Sequence, residues 1–140
     1  MKYYLAFGLA ACIVYAQQEP RSVWDGVYTS EQATRGEKAY SQMCASCHGT
    51  SLTGGESAPP LTGGEFSSNW FGLSLGELFE RIRITMPADR AGKITRQQDA
   101  DILSYILSVN QFPTGPAELS TKTEELQQIR MEASKSDSKK

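Results

Sequence analysis

Apolar positions recur at helical spacing in three parts of the chain. Ala33, Gly36, Tyr40 and Met43 follow one another at intervals of three, four and three, which predicts one face of a helix ending near Cys44. Thr29 and Ser30 precede that face as caps, with Gln32 placed to complete a capping box. Leu75, Leu78, Phe79 and Ile82 form a second stripe, opened by Ser74 with Glu77 and stopped by Pro87. Ile102, Tyr105, Ile106 and Val109 form a third, opened by Thr95 with Gln98 and closed by Asn110 and Pro113. Between the first two stripes, residues 49–69 are dominated by Gly, Ser, Thr and Pro, including Gly54-Gly55, Pro59-Pro60 and Gly63-Gly64. That density of punctuation predicts a long loop, and loops of such length in a compact domain are usually functional. No strand-like alternation stands out, so the expected class is all-α, with three main helices and one long loop.

The two ends read differently. Met1-Lys2 followed by the apolar run Tyr3 to Val14 has the form of an export signal, too short for a membrane-spanning helix. Two outcomes stay open: cleavage after Ala16, or lipid attachment at Cys12, which closes the box Leu9-Ala10-Ala11-Cys12. Both place the working domain outside the cytoplasm, in the periplasm or lipid-anchored on its periplasmic side; a membrane is a partner only if Cys12 is lipidated. The expected organisation is therefore a signal over 1–16, an extended lead-in segment over 17–28, a domain over 29–115 and a polar C-terminal extension over 116–140. Within the extension, 121–131 could form a short amphipathic helix through Leu126 and Ile129, while Ala133 to Lys140 reads as a disordered Ser/Lys tail.

Composition narrows the chemistry. The 140 residues carry 14 Lys+Arg against 16 Asp+Glu, and a net charge of −2 offers no general basic field for nucleic acid. One His excludes any centre built on two imidazoles, and 3 Cys are too few for a dense disulfide framework. Two of those cysteines and the histidine form Cys44-Ala45-Ser46-Cys47-His48, the C-x-x-C-H signature of covalent c-type haem attachment. Two thiols one helical turn apart can each add to a haem vinyl group, and the next residue lies where an imidazole reaches the iron. A structural zinc site would need about four ligands, more than this cluster holds. A thioredoxin-like C-x-x-C expects flanking strands. A plain disulfide would leave His48 without a role.

The second axial ligand of such a haem must come from elsewhere, because His48 is the only His. Among the methionines, Met1 belongs to the signal, Met131 lies beyond the expected helical core, and Met43 adjoins Cys44 on the attachment side. Met86 remains, at the end of the second helix and followed by Pro87; its thioether is a soft ligand suited to low-spin haem iron.

From about Ser30 to Val109 the chain resembles a class I mono-haem cytochrome c. Gly36 and Tyr40 stand as the glycine and aromatic of that family's N-terminal helix, with Ile102 and Tyr105 as their partners in the C-terminal helix. The resemblance implies a cytochrome c-like fold, three main helices around one covalently bound haem c, with Gly36 letting the two helices cross closely. It also implies that a proline carbonyl in Ala58-Pro59-Pro60-Leu61, at Pro59 or the adjacent Pro60, orients His48 by accepting from Nδ1. Met86-Pro87 matches the family's sixth-ligand region. The flanks Val23 to Tyr28 and Phe112 to Gly115 resemble cytochrome domains found with bacterial quinoprotein dehydrogenases, and Trp24 and Trp70 are candidates for haem packing or plain core roles.

The reading that follows is a periplasmic electron carrier and not an enzyme: Cys44 and Cys47 tether haem, His48 and Met86 ligate iron on opposite faces, and Pro59 orients His48. Its expected partners are redox proteins, a quinoprotein dehydrogenase or a terminal oxidase among them. Two rivals stand beside it. One is an acceptor subunit fixed to a quinoprotein dehydrogenase, and the other is a haem enzyme with an open sixth position.

Overall fold

The computed structural model describes residues 20–135, so the expected export signal and Cys12 lie outside the described residues, as does the end of the expected Ser/Lys tail. Six helices make up the body: α1 (Ser30–Met43), α2 (Ala45–His48), α3 (Gly63–Trp70), α4 (Leu75–Thr85), α5 (Arg96–Val109) and α6 (Thr123–Leu126). Among the described residues, no helix is long and apolar enough to cross a membrane.

The three expected stripes become α1, α4 and α5. Ser74 with Glu77 and Thr95 with Gln98 close reciprocal capping boxes at α4 and α5, as their spacing predicts. At α1 only half of the box forms: Thr29 Oγ1 accepts from the Gln32 backbone at 3.1 Å. The Gln32 side chain is buried elsewhere, bonding both backbone groups of Leu119 at 2.6 and 3.1 Å. A buried amide with donor and acceptor both satisfied outweighs a solvent-exposed cap.

Among the described residues, helices α1 and α5 share the most extensive contact between elements. A Cβ added to Gly36 would lie 1.8 Å from the Asp101 carbonyl oxygen and 2.9 Å from Tyr105 Cβ, so only glycine admits this approach. One turn further along α1, the Tyr40 and Tyr105 rings pack at 5.4 Å. Arg35 grips Asp101 with two 3.0 Å bonds and reaches Glu118 at 2.9 Å, tying the crossing to the C-terminal chain. Ile102, Leu103, Ile106, Leu75, Leu78 and Phe79 fill the core beneath.

Three segments differ from expectation. The glycine-rich loop contains α3, which forms because Phe66, 1% exposed, anchors one face of an otherwise polar stretch in the core. Residues 116–135 are not a solvated polar extension. Leu119, Leu126, Ile129 and Met131 are buried, and β2 (Ile129–Arg130) pairs in parallel with β1 (Arg21–Ser22). These apolar residues follow no single period, so the chain reads as polar while supplying separate plugs to the core. The lead-in segment is also structured, with a 3-10 turn over Val23–Asp25 and Val23, Val27 and Tyr28 buried. It joins the other flank directly: Gly115 N–H donates to Tyr28 O at 2.7 Å and Tyr28 Oη to Phe112 O at 2.6 Å.

Candidate haem site

α1 ends at Cys44, whose N–H still donates to Tyr40 O at 2.8 Å. Cys47 N–H and His48 N–H then both turn back to the Cys44 carbonyl, at 3.2 and 3.0 Å. The C-x-x-C-H segment is thus one tight helical turn, with both thiols free. Cys44 is half-buried and Cys47 exposed. Burial, with smaller contributions from the charges of Asp99 and Cys47, pushes the Cys44 thiol up to about 11, so it is a neutral thiol at physiological pH.

His48 is buried, and its Nδ1 lies 2.8 Å from the Pro59 carbonyl oxygen. A carbonyl can only accept, so Nδ1 carries the proton and the Nε2 lone pair is left for a ligand. Of the two prolines that the sequence offered, Pro59 makes this bond. The loop reaches back because Gly54 sits at φ +75°, where an added Cβ would stand 2.6 Å from Pro60 N and 2.8 Å from Ala58 O. Around it, Gly54 N–H donates to His48 O at 2.9 Å and Tyr40 Oη to Gly49 O at 2.7 Å. Leu61 N–H donates to Leu52 O at 2.8 Å, and Nδ2 of Asn110, the C-cap of α5, donates to Leu61 O at 2.9 Å. The loop is therefore fixed at both ends.

Met86 comes from a different element. It caps α4 in extended conformation (φ −118°, ψ 153°), donates its N–H to Ile82 O at 2.9 Å, and packs half-buried against the core. Met43 is also half-buried, whereas Met131 lies wholly inside the core, its backbone bonded to Gly72 and Leu73. Placing Met131 in a polar segment beyond the core is thus corrected. Trp24 packs edge-on against Phe112 at 4.9 Å and donates Nε1–H to Glu132 O at 2.9 Å, a structural role; Trp70 ends α3 half-buried.

Sequence reasoning passed over Asp99. It lies on α5 one turn before Ile102 and Leu103, is 0% exposed, and both its carboxylate oxygens lack a hydrogen-bond partner among the described residues. Burial first, then the neighbouring Glu80 charge, pushes its carboxyl up to about 8. The signal was a lone carboxylate at the spacing of an apolar stripe. For an acid raised in the fold, stability is full below the unfolded value of 3.8 and is lost as pH rises towards about 8. We therefore expect Asp99→Asn to gain about 2 kcal/mol at pH 8 and almost nothing at pH 4. Full linkage corresponds to about 1.36 kcal/mol per pKa unit, and local relaxation around the ionised carboxylate recovers much of it. Urea unfolding at the two pH values checks it; equal effects at both would contradict it.

The donor set fits a covalently held haem: two free thiols in one turn, an imidazole committed by its hydrogen bond to present Nε2, and a thioether on another element. Half-buried Leu61, Trp70, Phe71 and Met86 add apolar surface of the kind that a porphyrin covers. An open hollow of about 610 Å³ lined by Thr53 to Pro60 and Glu65 is polar and unsuited to that purpose.

Comparison with known proteins agrees. No curated protein matches the chain. The crystal structure of the sulfane dehydrogenase SoxCD from Paracoccus pantotrophus is similar, with a TM-score of 0.51 and 19% identity over 76% of this chain. The match spans 61% of that chain, and at this identity it speaks to fold alone. The family model for cytochrome c oxidase, cbb3-type, subunit III matches residues 31–106, more than half of the chain. The protein accordingly belongs to that family: it is a mono-haem c-type cytochrome with one covalently bound haem c.

Proposed function

We propose that the protein is an exported single-electron carrier in which Cys44 and Cys47 form the thioether bonds and His48 and Met86 are the axial ligands. The observation that carries this reading is the 2.8 Å bond from His48 Nδ1–H to Pro59 O. It selects the tautomer that ligates through Nε2 and fixes the ring plane. Met86 supplies the soft thioether that, paired with His, raises a haem potential towards the range of electron carriers. When bound, the haem supplies a one-electron iron couple. The chain itself holds the ligand geometry between redox states: the Tyr40–Gly49 and Asn110–Leu61 bonds lock the turn and the loop on either side of His48. A rigid site of this kind lowers the structural rearrangement that each electron transfer requires.

Reductive titration of the purified protein should take up one electron per chain, and the reduced form should resist carbon monoxide. Rapid carbon monoxide binding with peroxide turnover would instead make it a haem enzyme with an open sixth position.

The flanks favour one further reading, an acceptor subunit held by a dehydrogenase. Val23 to Tyr28 and Phe112 to Gly115, which resemble quinoprotein-associated domains, pack on each other, and the similar solved structure is a dehydrogenase. A stable dehydrogenase complex on affinity capture supports it; a free monomer supports the diffusing carrier. The intact mass of the mature chain distinguishes a start at Gln17 from an acylated Cys12.

A further inference from the structure

Asp99 projects from the core face of α5, and no part of it reaches solvent. Neither carboxylate oxygen has a partner among the described residues. An ionised carboxylate in that position costs several kcal/mol, so the group is either neutral or answers a positive charge nearby. The charged groups that act on it are Glu80 and Arg83 from α4 and Arg96 from its own helix. These are engaged with each other: Arg83 holds Glu80 at 2.6 Å, Arg96 approaches it at 3.8 Å, and the Thr123 hydroxyl also donates to it. Asp99 therefore has no fixed counter-ion. Its helix packs directly on α1, where Asp101 O meets Gly36 and the Tyr105 ring meets Tyr40, and α1 ends at Cys44. A buried, unpartnered carboxyl thus sits on the helix that packs against the one ending in a covalent anchor of the haem.

We propose that Asp99 is a redox-linked proton site that tunes the haem potential: its carboxyl is protonated while the iron is ferrous and ionises when the iron is oxidised. On oxidation one electron leaves the iron for a one-electron acceptor, the redox partner, and the site gains one positive charge. The Asp99 O–H bond then breaks, its electron pair stays on the carboxylate oxygen, and the proton passes to water. Reduction reverses each step. Burial already places the carboxyl's titration close to physiological pH, so the extra charge need only shift it modestly. Because the carboxylate stabilises the ferric form, the potential falls as pH rises between the ferric-state and ferrous-state pKa values. Each tenfold difference in proton affinity between the two states corresponds to about 59 mV in a one-electron couple. The inference rests on the haem c of the family and not on Met86 as its ligand.

The test is the midpoint potential of the holoprotein as a function of pH, for wild type, Asp99→Asn and Asp99→Glu. The wild-type potential should fall with rising pH, Asp99→Asn should remove most of that slope, and Asp99→Glu should restore it. Redox-difference infrared spectroscopy of the wild type provides a readout without any variant: a protonated carboxyl band should be present in the reduced state and lost on oxidation. A slope that persists in Asp99→Asn, a wild-type potential independent of pH, or the absence of that band would overturn the proposal. Loss of the iron-methionine band with the slope intact would fault Met86 alone.

Discussion

Gly36→Val should cost more than about 4 kcal/mol of folding stability and leave little holoprotein to purify. Overpacking a core commonly costs 1–3 kcal/mol because side chains can adjust their rotamers. Here the obstacle is backbone: any Cβ at 36 falls 1.8 Å from the Asp101 carbonyl oxygen, and that oxygen is held in α5. Relief requires α1 and α5 to separate, which would also disturb the Tyr40–Tyr105 packing and the Arg35–Asp101 bonds. Valine adds two further methyls and a lower helix propensity. Gly64→Ala is the control, since nothing lies within 4 Å of a Cβ there, and its effect should stay within about 1 kcal/mol. Chemical denaturation followed by circular dichroism measures both; equal midpoints for Gly36→Val and wild type would contradict the close crossing.

That crossing was legible in the sequence only through resemblance, since a glycine at helical spacing does not by itself name its partner. What local pattern carried well was anything settled within a turn or two. The boxes at Ser74 and Thr95 formed because both of their members face solvent and have nothing better to bond. The box at Thr29 failed to close because Gln32 found Leu119, 87 residues away in sequence. Helix α3 hid among glycines because its stabilising contact is the burial of Phe66, and burial is a tertiary fact. The C-terminal chain hid for the same reason, its plugs Leu119, Leu126, Ile129 and Met131 being too unevenly spaced to mark a face.

The candidate site divides in the same way. Cys44, Cys47 and His48 are legible because attachment chemistry dictates their spacing. Pro59 was separable from Pro60 only once Gly54 had turned the loop, since both prolines are equally close in sequence. Asp99 was invisible because one carboxylate in an apolar stripe looks like a helix edge until its burial is known.

Met86→Ala should lower the reduction potential by on the order of 0.1–0.2 V, a fraction of the roughly 0.8 V over which axial ligation sets haem potentials. It should also let carbon monoxide bind the reduced protein. Alanine leaves the extended C-cap of α4 intact, because its backbone adopts the same φ and ψ and the N–H bond to Ile82 O survives. Met43→Ala, on the attachment side of the motif, should leave potential and carbon monoxide resistance nearly unchanged. A potential unmoved in Met86→Ala would assign the sixth position to another residue. The charge and burial of Asp99 are untouched by either change, so the pH slope of the potential should survive in both.

The most direct measurement is the optical spectrum of the purified wild-type protein in its ferric and ferrous states. A low-spin spectrum with the weak methionine-to-iron charge-transfer band in the ferric form is the predicted result. A high-spin ferric spectrum without that band would contradict a His48/Met86-ligated carrier.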